Sequence, residues 1–319
     1  MLRRKPGKIV TNGFQRLEGN ATTKGLKQTG IRYIALELYI DNYQGNKMKK
    51  SWYFVMLMLL LVSPASAYER SAVLSYDVYV GGIKVVEIGL EAEIGPKKYS
   101  MDVSLKEVKF FSIFFSWKMR LSSEGKITEG YPVPRKASAN SRWKGKTRLT
   151  NLEYNEFGAL KSTKISPKDE EGIRSPVTDQ MKRGTRDLAT ALLYLLQKLD
   201  QGEKCSVKVP IFDGKRAFLI KLLGGEVVKL GSNRLSAYKG DALKCNFVFK
   251  KLGGYRIDSD YAKKRFKDPM NIWFGRPFPK FLYLPIKMEL ETSLGWLVAH
   301  LTKAEFTHLG IKSQIGLEN

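Results

Sequence analysis

The stretch VLSYDVYVGGIKVVEIGLEAEI, Val73 to Ile94, decides the fold. Leu74, Tyr76, Val78 and Val80 alternate with mostly polar neighbours, which is the period of a strand with one buried face. Gly81-Gly82 then supplies two residues at ease in the left-handed conformation of a tight hairpin, and a second strand returns from Ile83. Pro96-Lys97-Lys98 turns the chain once more into YSMDVSLKEV, where Tyr99, Met101, Val103 and Leu105 face one way. The opening is therefore an antiparallel meander.

Downstream the same grammar continues. FFSIFFSWKM, Phe110 to Met119, is densely aromatic and fits a buried strand and a bent helical turn equally well. Strands are expected at SEGKITEG, RKASANSRWKGKTRLTNLEYN and ALKSTKIS, and the polar stretch from Pro167 to Arg183 reads as a mobile loop. One helix follows. Thr185 is placed to cap it, and Asp187 suits its positive N-terminal end. Leu188, Ala191, Leu192, Leu195 and Leu199 form the apolar stripe, and Gly202 is a natural stop. Strands resume at CSVKVPIF, turn at Asp213-Gly214, and run to GWLVAHLTKAEF. The fold class is mainly β: a curled antiparallel sheet or open β-barrel, with one substantial helix over about residues 186–200 plugging or flanking it.

A different pattern precedes the first strand. MKKSWYFVMLMLLLVSPASAYE begins at Met48, with Lys49 and Lys50, an 11-residue apolar run from Trp52 to Val62, and Ala65-Ser66-Ala67. Positive, apolar and small-residue regions in that order make a secretory signal peptide, too short to span a bilayer as a helix. Cleavage is expected after Ala67, with Ala65 and Ala67 at the recognition positions and Tyr68 as the new first residue. The domain expectation is a mis-called, disordered upstream extension at 1–47, a signal peptide at 48–67, and one β-rich exported domain at 68–319. The expected location is the periplasm.

Charge narrows the partners. The chain carries 55 Lys+Arg against 31 Asp+Glu, a net +24. Such a field favours lipid head groups or acidic glycans, and in an exported protein it does not point to nucleic acid. Only Cys205 and Cys245 occur, an even count that reads as one disulfide in an oxidising compartment, the alternative being two free buried thiols. Both are read as inward residues of strands, Cys205 with Val207, Val209 and Ile211, and Cys245 with Phe247 and Phe249.

Catalytic signals are missing. His300 and His308 are the only histidines, and His300 reads as a structural imidazole within a strand. No nucleophile elbow, zinc-binding helix or Cys-x-x-Cys pair occurs, so neither metal nor cofactor is implied. Two constellations remain. In SRWKGKTR, Arg142, Lys144, Lys146 and Arg148 read as one strand face spanning about 20 Å, a possible row of contacts for phosphates or uronates; the competing reading is an edge strand protected by its charges. Phe114, Trp117, Trp273 and Phe274, from two aromatic-rich stretches, are either core or the lining of an apolar pocket for an acyl chain or sugar ring.

A resemblance rests on an ordered set of segments: the export signal, Y-x-V-Y-V-G-G-I-K, TRDLATALLYLL, C-S-V-K-V-P-I-F-D-G-K-R, Y-K-G-D-A-L-K-C-N-F-V-F-K-K-L-G-G-Y, and finally I-W-F with Y-L-P-I-K-M-E-L-E-T-S-L-G. Together they resemble the bacterial exported proteins grouped as domain-of-unknown-function family DUF3108. The chain departs from the group at Arg186-Asp187-Leu188, where relatives often carry a proline after the aspartate. The resemblance implies a Gram-negative periplasmic protein with a curved, barrel-like antiparallel sheet, and it implies no catalytic residue. The functional expectation is a non-catalytic protein that holds an amphipathic or anionic envelope component, lipid or glycan, with peripheral contact to a membrane surface. The rival classes are an envelope enzyme acting on glycans through unmarked carboxylates and an integral outer-membrane barrel.

Overall fold

A computed structural model describes residues 70–108, 116–169, 172–257, 270–279, 281–292 and 295–317. The expected extension, signal peptide and cleavage residues Ala65, Ala67 and Tyr68 lie outside them, as does Phe114. Four hairpins turn on two residues each, at Gly81-Gly82, Glu129-Gly130, Lys144-Gly145 and Leu309-Gly310, every one of these residues with positive φ. That backbone matches the right-handed twist of the flanking strands, so these turns set the register of three pairings early in the sheet and of the last one.

Seven strands form the first meander: β1 (Arg70–Val80), β2 (Ile83–Ile94), β3 (Lys98–Glu107), β4 (Trp117–Thr128), β5 (Tyr131–Trp143), β6 (Lys146–Tyr154) and β7 (Leu160–Ser166). After the helical turn α1 (Asp179–Lys182) and helix α2 (Leu188–Asp200) come β8 (Lys208–Phe212), β9 (Ala217–Leu230), β10 (Gly240–Gly253), β11 (Met270–Gly275), β12 (Leu284–Thr292), β13 (Gly295–His308) and β14 (Ile311–Gly316). They make one antiparallel sheet in the order β7-β6-β5-β4-β3-β2-β1-β13-β12-β11-β10-β9-β8, with β14 added to β13. The sheet is not closed, because β7 and β8 at its two ends do not pair. It is nevertheless curled. Leu152 and Tyr154 of β6 pack with Phe212 of β8 and Ala217 of β9, so side chains seal a seam that no backbone ladder crosses.

The concave face holds the core. On β1, Ala72, Leu74, Tyr76 and Val78 are buried while Val73 is exposed. Helix α2 lies against this face, packed among Leu74, Leu90, Met101, Ile211, Leu222, Phe274 and Leu301. It is buried on more than the expected stripe, with Leu193, Leu195, Leu196 and Leu199 all inside. A helix apolar nearly all round is what a position inside a curled sheet requires. Its cap is Asp187 rather than Thr185. Asp187 accepts from the backbone N–H of Ala189 and Thr190, whereas the Thr185 hydroxyl donates to the Lys182 carbonyl.

The stretch 167–183 is also not the free loop its polarity suggests. Ser175 N–H donates to Tyr255 O, Ile257 N–H to Ile173 O, and Gly254 N–H to Ser175 O, which ties this segment to the end of β10.

Candidate functional site

The predicted basic stripe is not one strand. Arg142 is the next-to-last residue of β5, Lys144 sits in the turn, and Lys146 and Arg148 open β6. A two-residue turn reverses the parity of facing, so Arg142 pairs with Thr147 on the convex face while Trp143 pairs with Lys146, and Ser141 with Arg148, on the concave face. The four cations therefore surround a hairpin tip instead of lining one face.

Arg148 leads to the most organised charge cluster among the described residues. Its guanidinium meets the Asp169 carboxylate at 2.8 Å. Arg174 Nε reaches the same carboxylate at 2.8 Å and Lys215 Nζ at 3.0 Å. Among the described residues, three cations meet on this one acid. The elements that deliver them are β6, the segment after β7, and the β8–β9 turn, so the cluster straddles the seam. Arg174 is fixed further by donating to Gly254 O at 3.0 Å. Asp213 shapes the neighbouring turn by accepting from the backbone N–H of Lys215 and Arg216. Beside the cluster lies a cleft of about 490 Å³, lined by Trp143, Lys146, Arg148, Pro167, Lys168, Asp169, Ile173 and Arg256 among others. Among the described residues Asp169 is the single acid in that lining.

Chemically the cleft suits an anion. Arg148 and Arg256 bring guanidiniums whose planar donors suit a phosphate or carboxylate, and Lys146 and Lys168 add point charges, while Arg174 and Lys215 hold Asp169 without lining the cleft. The sequence reading found Arg148 and Lys146 but missed Asp169, Arg174 and Lys215. A lone aspartate between Lys168 and Arg174 was the available signal, and it carries no spacing rule.

The predicted apolar pocket is not assembled. Trp273 and Phe274 are adjacent on β11 and so point to opposite faces. Phe274 is fully buried in the core, and Trp273 stacks under the ammonium of Lys287 at 4.7 Å. Trp117 lies on β4 edge-on to Trp143, far along the sheet from β11. Between α2 and β1–β3 lies a hollow of about 20 Å³, lined by Leu74, Leu90, Leu193 and Leu196 among others. That is room for about one water.

Cys205 and Cys245 form a disulfide with Cα atoms 5.5 Å apart. Cys245 is on β10, but Cys205 lies in the turn before β8 rather than on a strand. It is still inward, in line with buried Val207, Val209 and Ile211. Gly225, with φ of 126°, gives way to it: a Cβ there would stand 2.9 Å from Cys205 Sγ.

Two buried polar groups complete the inventory. Asp187 Oδ2 also accepts from Ser123 and Thr190 hydroxyls, and Tyr99 shares a 2.7 Å hydrogen bond with Thr190, which pins the helix start to β3 and β4. Burial pushes the Asp187 carboxyl above the usual range, while the Thr190, Ser123 and Ala189 donors pull it back. His300 sits on the convex face opposite Asp77, buried, with Nδ1 lacking a hydrogen-bond partner. Burial, then the Lys287 ammonium, hold its imidazole below the ordinary value, with Glu289 opposing. Elsewhere, Glu93 and Glu124 share a hollow of about 310 Å³ on the convex face, both exposed. Among the described residues no three His, Cys, Asp or Glu side chains gather as a metal site.

The family described as protein of unknown function (DUF3108) matches residues 75–302. A crystal structure of a beta-barrel-like protein of domain of unknown function DUF1849 from Brucella abortus is similar over 76% of this chain and 98% of that chain, at 10% identity and a TM-score of 0.40. No curated protein matches.

Proposed function

We propose, for a chain that belongs to the DUF3108 family of proteins of unknown function, an exported periplasmic protein that holds the anionic group of an amphipathic cell-envelope component in the cleft around Asp169. One observation carries the reading: Arg148, Arg174 and Lys215 converge on a single carboxylate beside an open cleft. Cations gathered beyond what one acid neutralises repel one another unless an anion joins them. The apolar part of such a ligand rests against Trp143, Pro167 and Ile173 at the lip.

A holding role, not a catalytic one, is favoured by that lining. Glycan hydrolysis uses two carboxylates facing each other across the bond, and among the described residues the cleft supplies Asp169 alone. A lipid-embedded barrel is disfavoured by the convex face, where Lys84 pairs with Asp77 and Glu87, and Lys106 with Glu87; such barrels need an apolar girdle there. Export rests on the Met48–Ala67 pattern.

The test is native mass spectrometry with N-terminal sequencing of the protein isolated from its host's periplasm. A chain starting at Tyr68 with a bound phosphate- or carboxylate-bearing species, diminished by Arg148→Gln with Arg174→Gln, is the expected result. Intact residues before Met48, or full occupancy in the double variant, would overturn it.

A further inference from the structure

The tip of the β5–β6 hairpin is built differently from the cleft below it. Trp143 is 51% exposed. Arg142 precedes it on the convex side, Lys144 occupies the turn, and Lys146 follows on the concave side. Next door on β4, Lys118 stands directly opposite Arg142, and Lys106 of β3 directly opposite Lys118. Three cations thus form a cross-strand row, an arrangement that costs stability, since like charges directly opposite destabilise a sheet. Within that row Glu87 meets only Lys106, and it is shared with Lys84. Among the described residues Lys118, Arg142, Lys144 and Lys146 have no ion-pair partner.

We propose that this tip docks on an anionic lipid surface. A groove-bound ligand approaches from one side, whereas these cations encircle the tip from both faces and the turn. Only a partner presenting anions over a plane, with the tip entering it, meets all of them at once. An exposed indole between lysines and arginines fits the same plane, because its apolar body suits the acyl boundary and its N–H the head groups. Long basic side chains then reach the phosphates around it. Trp143 and Lys146 also form the rim of the Asp169 cleft, but Lys118, Arg142 and Lys144 do not line it, so these three report on the tip alone.

The experiment is co-sedimentation of the chain, as its host produces it, with phosphatidylcholine vesicles containing or lacking phosphatidylglycerol. The expected result is binding that requires the anionic lipid and weakens with salt. Lys118→Gln, Arg142→Gln and Lys144→Gln together reduce it about a hundredfold, at roughly fivefold per charge near a surface. Removing opposed cations also leaves the melting temperature unchanged or raised, so loss of folding does not mimic loss of docking. Brominated lipid should quench the emission that Trp143→Phe removes. Vesicle binding equal to that of the parent in the triple variant, or Trp143 emission untouched by brominated lipid, would overturn the proposal. Equally strong binding of a soluble polyuronate through the same three residues would reassign the tip to an acidic glycan. Arg148→Gln is expected to weaken phosphate binding and spare vesicle binding, so the cleft and the tip fail independently.

Discussion

Replacing Asp169 by Asn separates two roles the carboxylate plays, and the effects have opposite signs. In the parent it neutralises Arg148, Arg174 and Lys215, with its side chain 18% exposed and theirs between 11% and 34%. Exposed ion pairs are worth up to about 1 kcal/mol, and fully buried ones broken on one side cost about 3–5 kcal/mol. Partly shielded pairs sharing one acid place the loss near 2–3 kcal/mol, after discounting Arg148 for its solvent contact. For a chain of this size each 1 kcal/mol moves Tm by about 2–4 °C, so a drop of about 4–12 °C is expected in chloride buffer. The same substitution removes the anion that competes with a ligand. Phosphate at a hundred times its Kd stabilises by about 2.7 kcal/mol, and it should bind the variant more tightly than the parent. Thermal melts of both proteins in chloride and in phosphate at matched ionic strength make the comparison. A variant that melts with the parent in chloride, or that gains no more from phosphate than the parent does, refutes the reasoning.

Asp187→Ala strands the donors of Ala189, Thr190 and Ser123. A lost cap costs about 1 kcal/mol and a buried unpaired hydroxyl about 1–3 kcal/mol, so the unfolding free energy should fall by about 3 kcal/mol, seen as a lower urea midpoint at constant m-value, with Asn recovering the cap share; an unchanged midpoint would show that the network does not hold the helix. His300 gives the pH dependence. Its folded pKa is lowered, by burial first, so the unfolded chain binds the proton more readily, and the stabilisation is complete above about pH 6.5 and lost as pH falls below it. His300→Gln should flatten the decline in urea midpoint between about pH 7 and 5; an equally steep decline would place the titration elsewhere.

Much of the fold was legible because strand period and hairpin turns are local properties. Leu74 to Val78 and Tyr99 to Leu105 show their buried face directly in the order of residues, and α2 shows its own in the spacing of leucines. Errors arose where a local rule was carried past its range. At Arg142 to Arg148 the alternation of cations runs through Lys144-Gly145, but the two-residue turn swaps odd for even, so equal parity no longer means equal face. Trp273 and Phe274 were grouped by aromaticity although adjacent strand residues must diverge. Cys205 kept the inward parity of Val207 and Val209 without sharing a ladder. The Asp169 cluster was illegible for a different reason. Its members come from β6, the segment after β7 and the β8–β9 turn, and only the curl of the sheet brings them together.

The pairing of β1 with β13 also dictates an order of events. Both flanks of the sheet are runs of neighbours in sequence, β1 to β7 and β8 to β13, and each zips by short-range steps. The join between them links Arg70 to His308, and it sits mid-sheet rather than at a border. Such a distant contact carries the largest loop-closure cost and forms slowly. Two half-shells therefore wait for the final long strand, and until it arrives β1 offers an unpaired border on which a chaperone, or another nascent copy, can settle.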